Sequence, residues 1–212
     1  SLEKPLPYHS AAIRRIDIHH LELDLRFGLQ QEEVYGKAEL TLSAFAEPQD
    51  SVVLDARGFE IHDVNVVLGD SMYSAFYSYD QLQLSVALQQ LLGVEDTIHI
   101  QVKYTARPSL LEKGNGNAIS SSQGLYFINS SGDEENMPQQ IWSQGETEYN
   151  SGWFPSVDKP NEKFTQEVFL TVDTNFTSVS NGKLLYSTVN GDGTRTDYWK
   201  QGLPHSNYLV MI

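Results

Sequence analysis

The feature that most constrains the fold of this chain is an alternation of apolar and polar side chains with a period of two residues. From Ile16 to Phe27 apolar residues occupy alternate positions, with one change of phase at His19 and His20. A similar run extends from Val34 to Leu42, after residues 28–33. Successive side chains of a strand point to opposite faces, so this period predicts strands with one buried face. The two runs together predict a long antiparallel hairpin, with a bulge at the change of phase.

Shorter strand-like runs occupy most of the remaining chain and are separated by turn signals about 8–12 residues apart, a spacing typical of sandwiches and barrels. They lie at residues 51–56, 60–68, 72–79, 81–88, 97–104, 125–128, 164–172 and 178–188, and residues 189–199 predict a hairpin. Only residues 89–93 and 109–113 have a briefly helical character. We therefore predict an all-β chain, built either as one large antiparallel curved sheet with a small companion or as a β-sandwich of two sheets.

Length and composition narrow the possible partners. The 212 residues suit a single all-β domain over residues 1–212. With 28 acidic and 14 basic residues the formal charge is -14, which disfavours nucleic acid, because phosphate binding requires clustered Lys and Arg. The chain has no cysteine, so disulfides and thiolate sites are excluded. No apolar run approaches about 18 residues, so no membrane span is predicted. The compartment stays open between cytoplasmic and exported.

The six histidines show no spacing typical of a metal site. His19 and His20 are adjacent, and adjacent strand residues point to opposite faces, so a regular strand cannot present both to one ion. The chain contains neither the His-Glu-x-x-His pattern of metallopeptidases nor the Gly-x-Ser-x-Gly pattern of serine hydrolases. We therefore predict no catalytic residue and no metal site within this chain.

The carboxyl end favours a boundary between domains. Residues 208–212 are apolar and strand-like, and no polar tail follows them. Natural termini usually fray in polar sequence, so we expect a cut here at the edge of a domain.

The segment from Trp142 to Pro160, WSQGETEYNSGWFPSVDKP, departs from the alternating pattern. Its prolines restrict the backbone and force turns. From the pattern alone the segment is a crossing loop anchored by aromatic residues, with Glu146 and Glu148 exposed to solvent.

The same segment resembles the amino-terminal domain of zinc aminopeptidases of the aminopeptidase N and leukotriene hydrolase type. That family typically shows Gln-x-Glu, then Phe-Pro-Cys-x-Asp-x-Pro eight residues after the glutamate, then Lys and Thr. Gln144 and Glu146 match the first part. The second part is matched in register by Phe154, Pro155, Asp158, Pro160, Lys163 and Thr165. The resemblance extends from about residue 16 to residue 212, although only residues 142–165 are specific.

The resemblance implies the saddle-like, all-β amino-terminal domain of a zinc aminopeptidase, which releases amino-terminal residues from peptides. It implies that zinc is bound by a catalytic domain downstream of Ile212, and that this chain alone is inactive. In this family the residue matching Glu146 binds the substrate α-ammonium, and the residue matching Gln144 lines the pocket for the first side chain. Ser156 stands where the family usually has cysteine, which leaves subfamily and substrate preference open.

Two alternatives compete with this interpretation. The first is a non-catalytic scaffold relative, which retains this domain while the downstream zinc motif has decayed. The second is a self-sufficient carbohydrate- or peptide-binding sandwich, with Trp142, Trp153 and Trp199 as a stacking platform. The second depends on exposed tryptophan rings.

Overall fold

The computed structural model describes residues 13–111 and 123–212, and within them the chain forms thirteen strands and three short 3₁₀ helices. The strands are β1 (Ile16–Gly28), β2 (Glu33–Ala44), β3 (Gln49–Asp55), β4 (Glu60–Leu68), β5 (Ser71–Ser74), β6 (Tyr77–Tyr79), β7 (Gln83–Leu92), β8 (Ile98–Ala106), β9 (Leu125–Ile128), β10 (Gln140–Ser143), β11 (Lys163–Asp173), β12 (Lys183–Val189) and β13 (Thr194–Ser206). The 3₁₀ helices are Pro108–Leu110, Asn150–Gly152 and Asn207–Leu209. None of the described helices has the length and apolar character needed to cross a membrane. The all-β prediction is confirmed.

The strands form one large sheet and two small ones. The large sheet has eight strands in the order β12-β13-β11-β1-β2-β8-β4-β5. The small sheets are β3-β7-β6 and β10-β9. The large sheet is mixed and not wholly antiparallel, because β11 returns alongside β1 in the parallel direction. Parallel neighbours require a long connection, and here the chain from β2 to β10 provides it.

The predicted hairpin and its bulge are both present. β1 and β2 pair antiparallel from Ile16–Ala44 to Gly28–Glu33. Ile18 pairs with Leu42 and His20 with Thr41, so His19 is the additional residue on β1. The bulge restores the alternation on its far side, and the apolar residues on both sides of it face the same core.

One hydrophobic core lies between the large sheet and the three-stranded sheet. It joins Leu23 and Leu40 of the large sheet to Leu54 and Leu84 of the small one, which is the packing of a sandwich. The segment from Trp142 to Pro160 contributes the buried Trp153 and Phe154 to this core.

Tyr104 of β8 connects the core to that loop. Its ring lies over Gly36 of β2, where an added Cβ would approach Tyr104 Cζ to 2.3 Å. The ring stacks on Phe59 with 4.7 Å between centroids. Burial raises the pKa of the Tyr104 phenol, so the hydroxyl stays protonated. It donates a hydrogen bond to the carbonyl oxygen of Trp153 at 2.9 Å.

Two local predictions were wrong. Residues 89–93 are not helical, because β7 continues to Leu92 as the central strand of its sheet. Residues 208–212 do not form a strand. Tyr208 and Leu209 belong to the 3₁₀ helix Asn207–Leu209, and residues 210–212 follow it outside any strand. The Asn181 side chain satisfies part of this backbone, because it donates to the Leu209 carbonyl oxygen. The helical character expected at 109–113 is present as far as Leu110, and residues 112 and 113 lie outside the described part of the chain.

Candidate substrate-binding loop

The residues matched to the family pattern begin where β10 ends. β10 pairs antiparallel with β9, and the rings of Tyr126 and Trp142 stack with 4.7 Å between centroids. The Gln144–Ser151 loop follows. Its first backbone N–H, that of Gln144, donates to the carbonyl oxygen of Gly124 at 2.8 Å. The loop therefore begins from a two-stranded base held by aromatic stacking.

The loop closes on itself at Gly145. The Tyr149 N–H donates to the Gly145 carbonyl oxygen at 3.0 Å. The side chain of Asn150 lies so close to Gly145 that an added Cβ would stand 2.5 Å from its amide. Glycine is therefore required at position 145 for close packing, and Glu146 is held at the start of a short, closed turn.

Asn150 ties this loop to the carboxyl-terminal residues. It is completely buried, and its Nδ2 donates to the carbonyl oxygen of Asn207 at 2.7 Å. Its Oδ1 accepts the indole N–H of Trp153 at 2.9 Å. A second tie joins Ser143 to Ile212, where the Ser143 N–H donates to the Ile212 carbonyl oxygen at 3.2 Å. The candidate loop and the last residues of the chain are therefore neighbours.

The second half of the matched pattern has a structural role. Phe154 is buried, and Ser156 forms a β-bridge with Asp55 at the end of β3. The carboxylate of Asp158 accepts the Ser151 N–H at 2.8 Å and Asn207 Nδ2 at 2.7 Å. Burial raises the pKa of Asp158, and these donors compensate in part for its desolvation. These buried residues therefore fix the carboxyl-terminal end of the Gln144–Ser151 loop.

The first half of the pattern lies at the surface. Glu146 is exposed, and no described residue forms an ion pair or hydrogen bond with its carboxylate. Glu148, two residues later, is paired with Lys159, whose Nζ lies 2.5 Å from its Oε2. Gln144 is half-buried, and its side-chain amide has no described partner. The structure places Gln144 and Glu146 on one short loop, and no cation among residues 13–111 and 123–212 pairs with Glu146.

Two grooves lie near the loop, and neither of them encloses Glu146. A groove of about 810 Å³ is lined in part by Ile141 and Ile212 on one side of the loop. A smaller one of about 320 Å³ is lined in part by Glu148 and Asp158. Neither Gln144 nor Glu146 lines either of these grooves.

The three tryptophans of the alternative carbohydrate platform pack against other parts of the protein. Trp153 is fully buried, Trp142 is half-buried against Tyr126, and Trp199 is half-buried and donates to Ser178 Oγ at 3.0 Å. The proposed carbohydrate platform therefore lacks exposed rings. In the described ranges, no three His, Asp or Glu side chains converge in a way that could hold a metal ion.

Sequence reasoning missed the residues that hold the loop. Arg57 donates to Tyr149 and Ser151, and Asn207 donates to Asp158. The run VVLDARGFEI, which includes Arg57, belongs to the resemblance but carries no local sign of this role. Asn207 carries none either, because its partners lie about fifty residues away in sequence.

Comparison with known families and structures gives a consistent result. The model of the Peptidase M1 N-terminal domain matches residues 17–209. A search of curated proteins found no match.

Solved structures of M1 metallopeptidases share the fold. A mutant of the M1 zinc metallopeptidase from Deinococcus radiodurans, bound to a Tyr-Ser-Ala substrate, aligns with a TM-score of 0.75 and 21% identity, covering 93% of this chain and 42% of that one. A two-domain M1 zinc metallopeptidase mutant bound to L-tryptophan aligns with a TM-score of 0.78 and 20% identity, covering 96% and 43%. Native yeast LTA4 hydrolase aligns with a TM-score of 0.69 and 16% identity, covering 93% and 28%. The chain thus spans less than half the length of each of these proteins.

Proposed function

Because the chain belongs to the Peptidase M1 N-terminal domain family, we propose that it is the amino-terminal domain of a zinc aminopeptidase and supplies one wall of the substrate pocket. The peptide and amino-acid ligands of the two M1 metallopeptidase structures support peptides as the substrate class. The observation that carries the proposal is the accessible carboxylate of Glu146, which pairs with no residue in the described part of the chain, on a loop fixed by buried contacts.

Glu146 binds the α-ammonium of the substrate in this proposal. A carboxylate and an ammonium form a charge-assisted hydrogen bond, which is stronger when the site is partly dry. No cation of the described residues has to leave Glu146 before the ammonium binds, whereas Glu148 would have to release Lys159. A second carboxylate, from the catalytic domain, completes the ammonium site. An internal peptide bond has no ammonium and would leave both acids unpaired, which favours removal of terminal residues.

Gln144 lines the pocket for the first side chain of the substrate. Its backbone is fixed to Gly124, and its half-buried side-chain amide is uncommitted among described residues. An amide offers both a donor and an acceptor, so Gln144 can contact side chains of different polarity.

The zinc ion and its ligands belong to a catalytic domain outside this chain. The donor set supports this assignment, because the described residues bring no three His, Asp or Glu side chains together and structural or catalytic zinc requires three or four protein ligands. A zinc ion held there would supply Lewis-acid chemistry toward the peptide carbonyl and a bound water. The residues of this chain orient the substrate, since a fixed amine sets the distance from the chain end to the metal.

The two glutamates of the loop allow a matched test in the full-length protein. Glu146→Ala should lower kcat/KM for an aminoacyl 4-nitroanilide by about 10- to 100-fold, because a charge-assisted contact to the substrate is lost. Glu148→Ala should change it by less than about twofold, because an exposed ion pair contributes little. Steady-state kinetics of both variants provide the measurement. Equal tolerance of the two substitutions would contradict the assignment of Glu146, and a full-length protein without a zinc motif would favour the scaffold alternative.

A further inference from the structure

The loop that carries Glu146 is held by a residue of another part of the fold. Arg57 lies two residues after the end of β3, and its Nε donates to Ser151 Oγ at 2.9 Å. Its Nη2 donates to the carbonyl oxygen of Tyr149, also at 2.9 Å. Its backbone N–H donates to the carbonyl oxygen of Ser151 at 2.8 Å. One residue thus makes three hydrogen bonds to the carboxyl-terminal end of the Gln144–Ser151 loop.

The guanidinium of Arg57 is committed to the loop. It is half-buried and lies 5.7 Å from the centroid of the Tyr149 ring. No described carboxylate forms an ion pair with it, in contrast to Arg107, which pairs with Glu33 and Glu60. The planar fork of arginine can bond two acceptors at once. The contacts of this side chain therefore set the position of Tyr149 and Ser151.

The backbone of Tyr149 links Arg57 to Gly145, the residue before Glu146. Its carbonyl oxygen accepts from Arg57, and its N–H donates to Gly145 at 3.0 Å. The peptide groups on both sides of Tyr149 are therefore bonded, and a shift of its backbone displaces Gly145. A displacement of about 1 Å in a substrate-binding group is enough to lower catalysis severely.

We propose that Arg57 is a positioning residue for substrate binding, which acts through Tyr149 and Gly145 to hold the Glu146 carboxylate where it meets the substrate ammonium. The proposal rests on the proposed function of Glu146 and adds a residue from the connection between β3 and β4. Arg57 itself does not touch the substrate.

A double-mutant cycle in the full-length protein tests this mechanism. Arg57→Met keeps a long unbranched stem but removes the side-chain donors, and it should lower kcat/KM for an aminoacyl 4-nitroanilide about tenfold. In a Glu146→Gln background the same change should lower kcat/KM by less than about twofold, because a residue that acts only through Glu146 has nothing left to position. Arg107→Met is the matched control, and it should leave kcat/KM within about twofold in both backgrounds.

Hydrogen exchange of the same proteins provides a measurement that does not depend on activity. Arg57→Met should raise the exchange rate of the Tyr149 amide about tenfold, because its hydrogen bond to Gly145 opens more often. Amides of the β1–β2 hairpin should keep their rates, which separates a local change from a loss of fold.

The possible failures are distinguishable. If Glu146→Gln lowers kcat/KM and Arg57→Met does not, or if the two effects are additive, the inference about Arg57 is overturned and the proposed function stands. If Glu146→Gln has no effect, the proposed function and this inference both fail. An unchanged exchange rate at Tyr149 in Arg57→Met would also overturn the inference.

Discussion

At the scale of single residues, burial and local partners give four carboxylates of this chain four different states. Glu146 is exposed without a described partner, and Glu148 is neutralised by Lys159. Asp158 is buried among hydrogen-bond donors, and burial raises its pKa. Asp197 of β13 is also buried, but there burial is outweighed by hydrogen bonds from Arg195 and Ser178, which lower the pKa from 3.8 to about 2.

The pKa of Asp197 predicts a loss of stability in acid. Its folded value lies below the unfolded value, so its contribution is present above about pH 4 and is lost as the pH falls towards about 2. Asp197→Asn should lower the free energy of unfolding by about 2 kcal/mol at pH 7, and the difference from the wild type should shrink towards pH 2. Urea denaturation across this pH range measures both values. Asp70→Asn, at an exposed turn, is the control, and a deficit for Asp197→Asn that does not vary with pH would contradict the prediction.

At the scale of elements, the β1–β2 hairpin and β8 carry the candidate loop through one aromatic contact. Gly36 leaves space on β2 for the ring of Tyr104, and the Tyr104 hydroxyl holds the carbonyl oxygen of Trp153. Trp153 in turn donates to Asn150 at the carboxyl-terminal end of the loop. The central strands of the large sheet therefore support the surface loop through buried side chains.

Filling the space at Gly36 should destabilise the domain. In Gly36→Ala the new Cβ would lie 2.3–2.7 Å from three atoms of the Tyr104 side chain, which stacks on Phe59 and donates to the Trp153 carbonyl oxygen, so a shift of the ring would disturb both contacts. We expect a loss of about 1–3 kcal/mol in the free energy of unfolding, typical of overpacking. Thermal or urea denaturation gives the value. Gly191→Ala is the matched control, because no atom lies within 4 Å of its added Cβ, and equal stability of the two variants would disprove the packing argument.

At the scale of the whole molecule, the sandwich-like fold presents the candidate loop next to the carboxyl-terminal residues of the chain. Ser143 and Asn150 bond to Ile212 and Asn207, so the loop and these residues share one side of the fold. The matched M1 structures are more than twice as long as this chain. In the proposed enzyme, the catalytic domain completes the pocket around Glu146.

The isolated 212-residue chain should therefore be inactive. Supplied with zinc, it should release no measurable product from an aminoacyl 4-nitroanilide, because in the proposed enzyme the ligands of the catalytic metal lie in another domain. The full-length protein should hydrolyse the same substrate, and chelation should abolish that activity. Zinc-dependent hydrolysis by the isolated chain would contradict the division of labour proposed here.

Much of the fold was accessible from the sequence because its determinants are local. Alternation with a period of two identifies a strand wherever one face is buried, and a change of phase identifies a bulge, as at His19. Local pattern cannot identify a partner far along the chain. The parallel pairing of His20 with Thr165, and the strand identity of residues 89–92, are set by neighbours in the sheets.

The candidate site divides in the same way. The spacing of Gln144, Glu146 and the prolines identified the loop and its family from sequence alone. The pattern also predicted that Glu146 is exposed. Only the tertiary structure decided that Asp158, twelve residues later, is buried, because its burial depends on what other segments bring against it. Arg57 donates to Tyr149, which lies 92 residues later in the sequence. No local pattern encodes such a contact, because its energy depends on the assembled sheets.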